Sequence, residues 1–243
     1  PQAEHGRKVL LLAGCVQPAL QPNINAATAR VLDAVGIQTL VAEQAGCCGS
    51  LRQHLDDGAG ARSQMRRNID AWWPLIERGS IEAIVMNASA CSLMVRDYGA
   101  QLRDDAVYAE RAARVSALAR DLSELLPDLS HALAGRLQGH GHKLAFHPPC
   151  TLQHGLKLRG GVEHHLRALG FEVELARKEA HLCCGSAGTY SVLQAALSNQ
   201  LRDRKLVELE ALAPQTIVSA NIGCITHLQT GTQRPVRHWV PVL

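Results

Sequence analysis

A duplicated arrangement of cysteines constrains the fold of this 243-residue chain more than any other feature. Two Cys-Cys-Gly triplets occur, and each has one isolated cysteine before it and another after it. Corresponding cysteines of the two halves are 133 to 136 residues apart, which indicates two copies of one structural unit. The first set is Cys15, Cys47, Cys48 and Cys91, and the second set is Cys150, Cys183, Cys184 and Cys224.

The hydrophobic pattern around the cysteines repeats as well. In each half, a buried strand runs into a cysteine-bearing loop, and a helix, a second strand, a long amphipathic segment and a third strand follow. Alternating strands and helices predict an α/β fold with parallel sheets, and all eight cysteines fall on or just past the carboxyl ends of strands. The predicted segments, paired between the halves, are 8–14 and 143–149, 25–35 and 161–169, 38–42 and 172–176, 60–78 and 191–212, and 83–87 and 216–220.

The same pattern predicts where the two copies begin and end. The first repeat is expected over residues 1–135, with a linking helix at about 104–126, and the second over residues 142–243. The Gly- and His-rich stretch 135–141 is interpreted as the boundary between them.

Composition excludes several classes of function. The net charge is only +3, and basic and aromatic residues are not interleaved, so nucleic acid is not an expected partner. No apolar run approaches the roughly 20 residues of a membrane span, and the polar N-terminus is unlike a signal peptide. Eight cysteines are too dilute for a disulfide scaffold, which favours a reducing cytoplasm and metal or redox chemistry.

The spacing of the cysteines favours a metal centre over a set of buried apolar thiols. Thiolates suit iron–sulfur clusters or zinc, and four come together in each half. The short Cys-x₂₋₄-Cys knuckle of zinc sites is absent, which favours a cluster. Gly49 and Gly185 are expected to let the loop backbone turn sharply and approach a cluster sulfide.

These residues resemble the cysteine-rich, or CCG, domain family, in which a cysteine precedes Cys-Cys-Gly and a Cys-x-x-Cys follows it. The family occurs in one of the subunits of heterodisulfide reductase, in lactate-utilisation iron–sulfur proteins and in the glycolate oxidase iron–sulfur subunit. The chain is most similar to the C-terminal part of the glycolate oxidase subunit. That similarity is carried by residues 12–18, 86–91, 147–150, 221–224 and 238–240.

The resemblance implies two Rossmann-like units in an electron-transfer subunit without catalytic residues of its own. Each set of four cysteines would hold one [4Fe–4S] cluster, with zinc in one repeat as an alternative. Flavin-containing partner subunits would oxidise glycolate to glyoxylate and pass electrons toward a quinone-side acceptor. The N-terminal ferredoxin-like domain of such subunits is missing from this chain, which is therefore interpreted as part of a longer protein. The resemblance implies a cytoplasmic location, or a peripheral one on the inner face of the cytoplasmic membrane.

The chain departs from the family motif in one respect. The closing Cys-x-x-Cys is incomplete in both copies, because Ala88 and Asn221 occupy its first position. Four thiols per copy favour an ordinary cluster over the five-cysteine noncubane cluster of heterodisulfide reductase. Two alternatives stay open: a thiol–disulfide redox enzyme like heterodisulfide reductase, and a zinc-bound or metal-free scaffold that docks other subunits.

Three histidines lie within three residues of a motif cysteine, namely His147, His181 and His227. Two interpretations apply. In the functional one, His227 is a substitute ligand or His147 is a proton donor near the centre. In the structural one, these are loop histidines bonded to backbone carbonyls. Of the adjacent Trp72 and Trp73, one is expected to pack inward while the other is available to a partner.

Overall fold

The computed structural model describes residues 4–137 and 141–243. The chain divides into two compact units, Pro1–Leu122 and Ser123–Leu243. The predicted boundary stretch 135–141 falls partly on residues 138–140, which lie outside the described residues. The repeat limits 1–135 and 142–243 therefore stay predictions. No helix in the described part of the chain combines the length and the apolarity that a bilayer span requires.

The first unit is built on a four-stranded parallel sheet in the order β2-β1-β3-β4. Its two central strands are apolar along most of their length, as expected for strands covered on both faces. The strands are β1 (Arg7–Leu11), β2 (Ile37–Leu40), β3 (Ala83–Met86) and β4 (Ala119–Asp121). The helices are α1 (Val16–Leu20), α2 (Asn23–Ala34), α3 (Ser50–His54), α4 (Gly58–Glu77), α5 (Ser89–Arg96), α6 (Tyr98–Gln101) and α7 (Ala109–Leu118).

The second unit repeats this topology with the strand order β6-β5-β7-β8, again all parallel. The predicted α/β fold of two tandem units with parallel sheets is therefore confirmed. The strands are β5 (Lys143–His147), β6 (Glu172–Leu175), β7 (Thr216–Ser219) and β8 (Val236–His238). The helices are α8 (Leu126–Leu133), α9 (Gly161–Ala168), α10 (Tyr190–Leu193), α11 (Ala195–Glu210) and α12 (Ile222–Gln229), with short 3₁₀ or π turns at Leu122–Leu125, Thr151–Gly155 and Val240–Val242.

The predicted linking helix at about 104–126 is wrong in its extent. Helix α7 ends at Leu118, and β4 then pairs with β3 as the fourth strand of the sheet. In β4, exposed Arg120 lies between buried Ala119 and buried Asp121, so the chain there alternates as a strand does. Three residues are too few for this period to stand out in a sequence, and β8, also of three residues, was missed for the same reason.

The two adjacent tryptophans of α4 divide as expected. Trp72 is fully buried and stacks on Tyr98 with ring centroids 6.5 Å apart. Trp73 is half-buried, and the Arg111 guanidinium lies 5.0 Å from its ring centroid.

Trp72→Ala should destabilise the chain far more than Trp73→Ala. Emptying a fully packed site costs about 3–5 kcal/mol. A half-exposed ring with a cation–π contact contributes about 1 kcal/mol. Urea unfolding followed by circular dichroism measures both values, and equal losses would contradict the packing described for α4.

Candidate metal centres

In the first unit, the four predicted cysteines meet at the carboxyl edge of the sheet. Cys15 follows β1, the pair Cys47 and Cys48 follows β2, and Cys91 lies in the first turn of α5 after β3. Their thiols form a chain of hydrogen-bond contacts in that order. The four side chains therefore share one site although 76 positions separate the first from the last.

The second unit repeats this arrangement with Cys150, Cys183, Cys184 and Cys224, whose thiols make the corresponding contacts. The Gly185 amide also donates to Cys183 Sγ over 3.3 Å. All eight cysteines are free thiols. The structure thus brings each predicted set together, and metal ligation by these residues stays a prediction.

The two sites differ in their exposure to solvent. In the first site, Cys15 is exposed and only Cys48 is buried. In the second site, Cys184 and Cys224 are both buried and no cysteine is exposed. The second site is therefore the more enclosed of the two.

Hydrogen bonds between thiols shift the protonation of each set. Bonds from Cys15 and Cys48 lower the pKa of Cys47 to about 2. The contact with Cys47, followed by that with Cys91 and by burial, raises the pKa of Cys48. Without a cation, one thiolate is thus stabilised by protonated neighbours, and ionising the rest is opposed by like charge. A bound metal removes that opposition and releases the protons.

The second set shows the same shifts from the same causes. Bonds from Cys150 and Cys184 lower the pKa of Cys183 to about 2. The contact with Cys183, then that with Cys224, raises the pKa of Cys184. Four soft donors linked in a chain of contacts are a ligand set that zinc or an iron–sulfur cluster can take.

Both triplet glycines have a left-handed backbone, with φ of 95° at Gly49 and 92° at Gly185. Each also packs against the backbone of the following long helix. A Cβ at Gly49 would lie 3.2 Å from the Ala61 carbonyl oxygen, and one at Gly185 would overlap that of Ser198. The glycines are therefore required for loop-to-helix packing, whereas their approach to a cofactor stays a prediction.

A buried amide and a buried phenol hold the first triplet loop, and sequence reasoning missed both. Asn68 accepts a bond from the Gly46 amide (2.8 Å) and donates to the Cys47 carbonyl (2.9 Å). Tyr98 donates to the Cys48 carbonyl over 2.8 Å. An Asn on the apolar face of an amphipathic helix was the one sequence signal that could have identified this support.

A second polar network positions the loop that carries Cys15. Gln17 donates to Asn25 Oδ1 (2.8 Å) and to Asn87 Oδ1 (2.6 Å). Asn25 in turn donates to the Ala13 carbonyl over 3.0 Å. These bonds tie the end of β1 to α1, α2 and the end of β3.

The second triplet loop is held by different residues. Lys205 donates from Nζ to the Glu179 carbonyl (2.5 Å), and Ser198 donates from Oγ to the Gly185 carbonyl (2.8 Å). His227 Nε2 lies 3.0 Å from Ser198 Oγ. His227 Nε2 also lies 3.3 Å from the Ser198 carbonyl oxygen, so the expected contact with a backbone carbonyl is present, although His227 lies on α12 and not in a loop.

The other two histidines near the motif lie in opposite environments. His181 is exposed. His147 is 1% exposed, and neither of its ring nitrogens makes a hydrogen bond to any of the described residues. A ring nitrogen of His147 and the sulfurs of Cys184 and Cys224 lie within 4.8 Å of one another. Contacts with Cys184 and then with His147 lower the pKa of Cys224 to about 6.

Comparison with known proteins agrees with the resemblance seen in the sequence. The family model of the cysteine-rich domain, CCG, matches residues 9–96 and 144–229. The chain is 50% identical to the glycolate oxidase iron–sulfur subunit of Escherichia coli strain K12, over all of this chain and 59% of that protein. A probable glycolate oxidase iron–sulfur subunit of Bacillus subtilis is 28% identical, over 94% of this chain and 50% of that protein. Lactate utilization protein A of Bacillus licheniformis is 27% identical, over 91% of this chain and 90% of that protein. The chain thus spans little more than half the length of the two glycolate oxidase subunits.

Gly185→Ala should be more damaging than Gly49→Ala. Both variants place a Cβ on a left-handed backbone, which costs about 1–2 kcal/mol. Only at Gly185 does that atom also overlap a backbone oxygen, so the loop or α11 must shift. Thermal unfolding and metal content of the two variants test this order, and a larger loss for Gly49→Ala would contradict it.

Proposed function

Because this chain belongs to the cysteine-rich (CCG) domain family, we propose that it is an iron–sulfur electron-transfer module of a glycolate oxidase complex. The observation that carries the proposal is the meeting of four free thiols at each of two equivalent sheet edges. No catalytic residue is assigned to the chain, since its chemistry is the holding of redox centres.

Each set of cysteines would hold one [4Fe–4S] cluster, with one thiolate for each iron. Such a cluster supplies reversible one-electron transfer when bound. The protein's part is to keep four thiolates in place and to limit the access of water. Cys48 and Cys184, both buried, do this at the back of each site, and the Gly185 amide donates to a ligand sulfur.

The name of the Escherichia coli relative supports a place for the chain beside the subunits that oxidise the substrate. Oxidation of glycolate to glyoxylate releases two electrons and two protons. We propose that flavin-containing partner subunits carry out this step and that the two one-electron centres conduct the electrons toward a quinone-side acceptor. The additional length of the relatives would carry the ferredoxin-like clusters, and the complex would work in the cytoplasm or at the inner face of its membrane.

One observation favours a second candidate, a zinc ion in the second unit. His147, Cys184 and Cys224 present donor atoms within 4.8 Å of one another, which is close enough for a single ion. Zinc there would leave only the first site for electron transfer.

The metal content of anaerobically purified protein should be about eight iron and eight sulfide per chain, if each site holds a four-iron cluster. Cys48→Ser and Cys184→Ser should each remove about half of both, because each variant removes one ligand from a different site. Val207→Ala, which changes an exposed side chain of α11, is the control. One zinc in place of four irons would support the second candidate, and a folded chain free of iron would overturn the cluster proposal.

Glycolate should bleach the visible absorption of the clusters only when the flavin-containing subunits are present. The isolated chain should bleach with dithionite and stay coloured with glycolate, because the proposal assigns oxidation of the substrate to the partner subunits. Stopped-flow absorbance of the assembled complex measures the effect. A complex that dithionite bleaches and glycolate does not would contradict the proposed substrate.

A further inference from the structure

The two sites differ at two equivalent buried positions. His147 and Leu12 each lie three residues before the first cysteine of their set, and both are buried. The carbonyl that faces the triplet glycine belongs to Ala61 in the first unit and to Ser198 in the second. Asn68 and Lys205 lie seven residues after these two positions. An apolar and a neutral side chain in the first unit are thus replaced by an imidazole and an ammonium group in the second.

The buried ring of His147 lies beside two cysteine sulfurs of the second site. It is 1% exposed, neither of its ring nitrogens makes a hydrogen bond within residues 4–137 and 141–243, and the sulfurs of Cys184 and Cys224 lie beside it. A ring N–H this close to a ligand sulfur can donate to it when a cluster is bound, and such bonds stabilise the more negative, reduced form of a cluster. Leu12 offers no donor to the first site.

Lys205 adds a buried positive charge. It is 3% exposed and donates to a neutral carbonyl, that of Glu179. In the described ranges, no carboxylate forms an ion pair with its Nζ. Burial lowers the pKa of Lys205, and the nearby thiols of Cys150 and Cys184 oppose that change. A buried ammonium requires a compensating negative charge; the Glu179 carboxylate contributes to it, and a thiolate-bound centre would supply the rest.

The described part of the first site has no buried cation that corresponds to Lys205. The Arg67 guanidinium reaches the loop at Gly46, but Arg67 is exposed. Asn68, which holds the loop there, is neutral. Arg52 lies near Cys47, but its side chain is 52% exposed and forms an ion pair with Asp57 (2.7 Å), so solvent and the carboxylate screen its charge. Water reaches this site at Cys15 and, in part, at Cys47 and Cys91, whereas Cys48 behind them is buried.

We infer that the centre of the second unit has the more positive reduction potential and accepts an electron before the centre of the first unit does. The inference rests on the proposed function, since it requires a cluster in each unit. One electron enters the oxidised second centre and no bond is made or broken. His147 and Lys205 act as positioning and tuning residues, because neither replaces a cysteine ligand.

The test is a redox titration of the full chain, purified anaerobically, in which EPR follows two cluster signals. His147→Leu and Lys205→Met should each move the higher-potential signal to more negative values and leave the lower one in place. We expect about a tenfold change in the ratio of reduced to oxidised centre, equivalent to about 59 mV for a one-electron couple. Leu12→His should move the lower-potential signal upward, and Val207→Ala should move neither.

The variants identify the signals without a separate assignment. If His147→Leu or Lys205→Met prevents loading of the second centre, the higher-potential signal should disappear. Two results would overturn the inference. One is movement or loss of the lower-potential signal in these variants. The other is that neither signal moves although the variants keep their full content of iron and sulfide. A chain without iron would overturn the proposed function itself, and the inference with it.

Discussion

The structure depends on holding four sulfur atoms in a connected chain of contacts at the end of each sheet. Thiols in such contact cannot all ionise, because each new anion is opposed by its neighbours. The sulfur atoms of each set come from three loops of one parallel sheet. These loops lie close together because the carboxyl ends of the strands are at the same edge of the sheet. Buried side chains hold the middle loop by donating hydrogen bonds to its backbone carbonyls. They are Asn68 and Tyr98 in one unit and Ser198 and Lys205 in the other.

The strands that carry the cysteines could be predicted because buried parallel strands are short apolar runs, and the repeated cysteine frame placed them in register. Strands β4 and β8 could not be predicted, since three residues between turns show no period. The loop supports were also out of reach. The contact of Asn68 with Cys47 spans 21 residues and depends on how α4 lies against the loop. Local sequence does not determine that angle.

The histidines show why nearness in sequence does not identify a ligand. His147 and His227 are each three residues from a cysteine of the second set. His147 ends β5, so its side chain points into the space that the loops enclose, beside Cys184 and Cys224. His227 lies one helical turn after Cys224 on α12 and faces Ser198 on α11. The place of each histidine in the fold therefore decides whether it lies beside the cysteine sulfurs, as His147 does, or supports the loop, as His227 does.

The close packing of Gly185 on the Ser198 carbonyl has a consequence for how the site is assembled. The triplet loop is held by two contacts with α11 that lie within the polypeptide: the packing of Gly185 on the Ser198 carbonyl and the bond from Ser198 Oγ to the Gly185 carbonyl. Its conformational entropy is therefore lost when the unit folds, and little of it is left to lose when a cofactor arrives. Small zinc-finger domains fold only with their metal. In this chain, contacts within the polypeptide contribute to ordering the loop, so the affinity for a metal centre should depend less on chain ordering than it does in those domains.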